Sequence, residues 1–225
     1  MLKQMEILNT HQHRDLHMHA ALPDHPHCVQ VVIGEFAHAA TCCPLFFVKE
    51  PETGRFNVVA LFGFTPGELL VEGAEKGQAQ FLPLEMVRQG FFIDGEHMAV
   101  DLAHPRFGPG AAVPLFESSG EPTDETRLIQ RSIGMLVSGK EATAAFIREM
   151  VALRLIEPVG ITLSFDDGQK LTLEGLYTVS LDALQELEDG DVLRLFRNGH
   201  LAAALCIQAS QRQVSVLAQR RNARL

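Results

Sequence analysis

The chain has 225 residues, 46% hydrophobic and 21% charged, with a formal net charge of −9. That balance excludes a disordered chain and leaves room for one sizeable core. The negative charge argues against a nucleic-acid partner held over a broad basic surface, and no stretch reaches the ~18 uninterrupted apolar residues of a membrane span.

The opening MLKQMEILNT has no apolar core and no small-residue cleavage site, so the expected location is cytoplasmic. Four cysteines, Cys28, Cys42, Cys43 and Cys206, match no zinc spacing and read as reduced, mostly buried thiols.

In chain order, Met5 to Leu8 predicts a short strand. The next stretch, HQHRDLHMHAALPDHPHC, holds three His-x-His pairs: His11/His13, His17/His19 and His25/His27. On a strand, residues two apart share a face, so each pair could chelate a borderline metal. His11, His13, His17 and His19 are therefore the candidate metal ligands. Pro23 and Pro26 favour an irregular loop instead.

Gly34 to Ala40 predicts a short helix with Glu35 in its first turn, where the helix dipole favours a carboxylate. A buried glutamate there could alternatively act as an acid or base. PLFFVKE (44–50) and RFNVVALFGF (55–64) predict strands joined by the turn Pro51-Glu52-Thr53-Gly54. Their unbroken apolar runs point to a sheet covered on both faces.

ELLVE (68–72) predicts a further short strand, followed by the polar loop GAEKGQ and a short helix within Gln80–Gln89 entered at Pro83. FFIDGEHMAVDL (91–102) predicts a hairpin turning at Asp94-Gly95. A Gly/Pro-rich loop from His104 leads to PLFESSGEPTDE, a solvated acidic turn without the spacing of a calcium loop.

Thr123 opens a helix expected to reach Val137 and to break at Ser138-Gly139-Lys140. A second helix is expected at 141–156, with Phe146, Met150 and Leu153 on one face, Arg148 and Glu149 on the other, and Pro158 as its stop. ITLSFDDGQKLTLEGLYTV (161–179) predicts a hairpin turning at Asp167-Gly168. Ser180 caps a short helix, Asp191 caps another that ends at Gly199, and 200–222 predicts a final helix. Its arginines, Arg212, Arg220, Arg221 and Arg224, complement the dipole at a helix end.

A strand-rich half followed by helix, hairpin and helix, with no βαβ alternation, predicts an α+β fold in one compact unit spanning 1–225. Its parts are a His-rich segment at 1–30, a β-rich half at 31–118 and a helical half at 123–222 with the hairpin at 161–179.

Several segments in order resemble the bacterial SapC family. They are His13-Arg14-Asp15, Gly34-Glu35-Phe36 with Pro44-Leu45-Phe46-Phe47, VALFGFTPGE, PLF-x3-GEPT, AAFIREMVALRLIEP, LEGLYTVSLDALQEL and Gly199-His200-Leu201. The chain departs from that pattern in having no tryptophan, in Val87 to Phe92 where relatives tend to have paired arginines and Tyr-Pro-Phe, and in Cys206 to Ser210 where they often carry a histidine. The resemblance implies an accessory role in an uptake or a peptide/protein-modification system. It carries a surface-layer name and no activity.

Three functional readings follow. The first is a non-catalytic accessory or interaction protein, since no phosphate loop, G-x-S-x-G, H-E-x-x-H or dinucleotide fingerprint is present. The second is a metal-binding protein or enzyme built on a candidate polar site of His13, Arg14, Asp15, Glu35 and Asp101. The third, a surface-layer-associated protein, rests on the family name and meets neither an export signal nor calcium repeats. No motif decides whether the chain is an enzyme. No cofactor is expected, a protein partner is, and self-association into a homo-oligomer is compatible with the composition.

Overall fold

A computed structural model describes residues 5–20, 25–73 and 80–224. Residues 21–24 of the histidine-rich segment, and 74–79 of the polar loop expected after Glu72, lie outside the described residues. The strands are β1 (Met5–Ile7), β2 (His17–Met18), β3 (Cys28–Gln30), β4 (Leu45–Lys49), β5 (Phe56–Leu61), β6 (Phe91–Asp94), β7 (His97–Asp101), β8 (Val113–Pro114), β9 (Ile156–Ser164) and β10 (Lys170–Val179). The helices are α1 (Thr10–His13), α2 (Phe36–Ala39), α3 (Leu84–Val87), α4 (Asp124–Ala152), α5 (Leu181–Gln185), α6 (Asp189–Arg197), α7 (His200–Ser210) and α8 (Arg212–Asn222). The fold is α+β.

The contacts gather into two compact units interleaved in sequence, Met1–His25 with Leu84–Ser138, and Pro26–Pro83 with Gly139–Leu225. Helix α4 contributes residues to both.

In the first unit, β1, β7 and β6 form one antiparallel sheet and β2 pairs with β8. Met18, Phe91, Val100, Leu115, Ile129 and Ile133 make its core. Thr123 caps α4, its hydroxyl accepting from the Thr126 N–H, while both threonine hydroxyls donate to the Leu115 carbonyl. The Gly/Pro-rich loop holds a 3₁₀ turn at Pro105–Phe107 that buries Arg106. Its guanidinium donates to the carbonyls of Val87 (2.6 Å) and Gln89 (3.0 Å) and lies over the Phe91 ring. The cation thus closes the orphan carbonyls at the end of α3.

The second unit is built on a five-stranded antiparallel sheet, ordered β3-β5-β4-β10-β9. Adjacent Phe46 and Phe47 on β4 are both fully buried. Successive strand residues face opposite ways, so the sheet is covered on both faces at β4 and β5, as their apolar runs predict.

Several expected elements differ. Glu68–Glu72 forms no strand: Gly63 approaches so closely that a Cβ there would lie 2.0 Å from the Glu68 carbonyl oxygen. That packed turn leaves a single hydrogen bond from Leu70 N–H to Phe62 O in place of a ladder.

The predicted break at 138–140 is absent, and α4 runs unbroken for 29 residues. Ser138 and Thr143 return their hydroxyls to the carbonyls of Gly134 and Gly139, which keeps both polar side chains within helical geometry. Gly139 is there for contact rather than for a break: a Cβ would lie 2.7 Å from Val32.

Helix α4 ends at Ala152, short of the expected 156. Arg154 takes the left-handed conformation (φ 56°), Leu155 N–H donates to Met150 O and Arg154 N–H to Val151 O. This is the Schellman arrangement, made without its usual glycine. Pro158 therefore sits within β9, opposite Tyr177, on an edge strand where its missing N–H is tolerated.

The hairpin is longer than 161–179, with β9 starting at Ile156, and it carries a bulge between Leu173 and Leu176 around Gly175 (φ 73°). The cap of α6 is Glu188, and Asp191 lies inside its first turn. The expected final helix divides at Gln211 into α7 and α8.

Candidate functional site

On one face of β4 and β5 the side chains of Phe47, Lys49 and Phe56 stand together, because Lys49 pairs with Phe56 in the ladder and Phe47 lies two residues before Lys49. The C-terminal part of α4 crosses this face. Where it meets the β4–β5 turn, a groove of about 730 Å³ opens. It is lined by the apolar side chains of Phe56, Ala144, Ile147, Val151 and Ala152 and by the cations Lys49, Arg55 and Arg148.

Among the described residues no carboxylate lines it. The Lys49 ammonium lies 5.1 Å from the centroids of both Phe56 and Tyr177. That attraction holds the cation at the groove, and among the described residues no carboxylate pairs with it. Arg148 pairs with exposed Glu141 at 3.2 Å, a contact in water that contributes little and yields easily to a ligand.

Aromatic rings continue inward from the groove. Phe56 meets Phe47 at 6.2 Å, Phe47 stacks on Phe146 at 5.9 Å, and Phe146 meets the His200 ring edge-on at 5.5 Å. His200 Nδ1 lies against Glu149 Oε2. Arg194 Nε donates to Glu149 Oε1 at 2.8 Å and reaches Asp191 at 2.6 Å.

Glu149 was expected on the outer face of its helix, yet its side chain is only 13% exposed. Burial raises its carboxyl's pKa, but hydrogen bonds from Arg194 and His200 outweigh that and hold it below the usual carboxylate range. A carboxylate on imidazole Nδ1 is the orienting half of a general-base pair. Among the described residues, however, no hydroxyl or thiol hydrogen-bonds the His200 ring. The network's evident work is to fasten the α6–α7 corner to α4.

The residues singled out from sequence divide between the units. In the first unit, His11 and His13 occupy the helical turn α1, capped by Asn9, whose side chain accepts from Gln12 N–H. Residues two apart on a helix point to different sides, so this pair does not form the strand-face chelate. His13 is buried, bonded through Nδ1 to the Asn9 backbone and 3.4 Å from Glu6. Arg14 donates to Ser118 O. Asp15 is exposed and offers its carbonyl to His17. The backbone of His19 donates to Arg106 O. Asp101 accepts from Ala103 N–H, an Asx turn at the end of β7.

In the second unit, Glu35 is buried and accepts from Val32 N–H at 2.9 Å, a helix cap. Among the described residues no group of three or more His, Cys, Asp or Glu is placed to hold a metal ion.

Glu149 and His200 lie 51 positions apart, so no local spacing in the sequence pairs them. Their signal was present: each belongs to a segment that carries the family resemblance. Among the described residues no helix is long and apolar enough to cross a membrane. No curated protein and no solved structure matches the chain. The SapC family profile matches residues 8–217, and with nearly its whole length covered the chain belongs to the SapC family.

Proposed function

We propose that this is a non-catalytic, cytoplasmic accessory protein of an uptake or protein/peptide-modification system. It recognises an acidic, partly apolar segment of a partner protein in the groove between the β4–β5 hairpin and α4. The observation that carries this reading is the groove's composition. Lys49, Arg55 and Arg148 share the groove's lining with apolar side chains, in a chain whose net charge is −9. Concentrated positive charge on a negative protein steers an anionic partner to one place, and the apolar part of the lining gives apolar side chains somewhere to bury.

The test is fluorescence anisotropy with a labelled peptide alternating glutamate and leucine. Saturable binding that weakens with salt is expected. The double variant Lys49→Glu/Arg55→Glu should weaken it by about 10-fold or more, equal to about 1.4 kcal/mol, with the circular dichroism spectrum unchanged. Equal binding by wild type and variant, or equal binding of a lysine–leucine peptide, would contradict the proposal.

A further inference from the structure

The turn after α2 brings two cysteines side by side. Cys42 and Cys43 both direct their N–H groups to the Ala39 carbonyl, at 3.0 and 2.8 Å, and their sulfurs lie 3.7 Å apart. Cys43 is fully buried. Cys42 lines a small pocket of about 60 Å³, together with Thr41, Glu72, Gln213 and Arg220. The Arg220 guanidinium donates to Leu70 O and reaches Glu72 at 3.4 Å. Among the described residues, the charged or titratable groups facing Cys42 are Cys43, Arg220 and Glu72.

We propose that Cys42 is a modification site oxidised by small hydroperoxides, with Cys43 as its hydrogen-bond donor and Arg220 as its counter-charge. The Cys42 thiolate attacks one peroxide oxygen. An S–O bond forms, the O–O bond breaks, and hydroxide or alkoxide leaves and takes up the proton that the thiol had released to solvent. Sulfur is oxidised to sulfenic acid as the peroxide is reduced.

The thiolate is the reacting species, and the surroundings favour it at Cys42 alone. The hydrogen bond from Cys43 lowers the Cys42 thiol most; despite burial, and with help from Thr41 and Arg220, it falls to about 7. Burial instead pushes Cys28 up to about 11 and also raises Cys206. Cys43 is raised by the same bond to Cys42 and by burial, so it remains the donor. Opposing this, the Ala39 carbonyl accepts from the Cys42 thiol at 3.7 Å and favours the protonated form.

Exposure and chemistry make opposite forecasts, which makes the proposal testable. Cys28 and Cys206 are more exposed than Cys42, so access alone would have them react first. Native protein treated with hydrogen peroxide, trapped with dimedone and digested for mass spectrometry should carry the label first on Cys42. Iodoacetamide alkylation of Cys42 should be half-maximal near pH 7.

Cys43→Ala and Arg220→Gln should each slow alkylation at neutral pH, by about 10-fold for every pH unit the thiol rises. Cys43→Ser, which keeps a donor, should retain most of the rate. First labelling at Cys28 or Cys206, or alkylation of Cys42 indifferent to both Cys43→Ala and Arg220→Gln, would overturn it.

Discussion

Arg154 holds a left-handed backbone so that α4 can close on Leu155, and for a residue with a Cβ that conformation costs roughly 1–2 kcal/mol. Arg154→Gly should relieve the strain and, after the glycine's greater unfolded-state entropy, raise stability by about 0.5–1 kcal/mol in urea denaturation. A loss of stability would mean that the arginine side chain, not its backbone, is what matters there.

Arg106 is the opposite case, a buried cation whose value desolvation lowers to about 10, so it remains charged at neutral pH. Arg106→Leu strands the carbonyls of Val87 and Gln89 and should cost about 2–4 kcal/mol. Glu149 adds a dependence on acidity. Its folded value lies below 4.5, so the stability it contributes is present above the ordinary carboxylate value and is lost as pH falls through the folded one. The gap in urea midpoint between wild type and Glu149→Gln should therefore be widest near neutral pH and close in acid. A gap that does not change with pH would remove the ion pair from the account.

At the scale of elements, α4 offers two glycines with opposite expectations. Gly134 faces open space, so Gly134→Ala should stabilise by about 0.5–1 kcal/mol through helix propensity. Gly139 lies against Val32, so Gly139→Ala should destabilise by about 1–3 kcal/mol through overpacking. Thermal melts of the two variants shifting in the same direction would refute the reading of Gly139 as a contact glycine.

The same helix shows why local signals mislead. Ser138-Gly139-Lys140 looks like a break because serine and glycine disfavour helix interiors, yet Val32, over a hundred positions earlier, supplies the reason for the glycine. The hairpins were legible because their turns are local: Asp94-Gly95, Asp167-Gly168 and the Pro51–Gly54 turn each declare themselves within a few residues. The early end of α4 was hidden because an arginine occupies the place where a glycine would have marked it.

For the molecule as a whole, the sequence carried the α+β class and the SapC family, but the interleaving of two units depends on contacts that no local pattern encodes. The groove was equally hidden. Lys49 and Arg55 flank a turn, Arg148 lies far away in sequence, and only the packing of α4 beside the β4–β5 hairpin brings all three to one groove. The histidine-rich segment drew attention by its composition, whereas Glu149 and His200, placed in two segments shared with the family, made no such display.

The central claim is the location of binding. A glutamate–leucine peptide carrying a photoreactive group, cross-linked to the intact protein and mapped by mass spectrometry, addresses it directly. The cross-links should fall on the α4 residues Ala144 to Ala152 and on the β4–β5 turn, and should disappear in Lys49→Glu/Arg55→Glu. Cross-links concentrated elsewhere, and retained in that variant, would contradict the groove as the binding site.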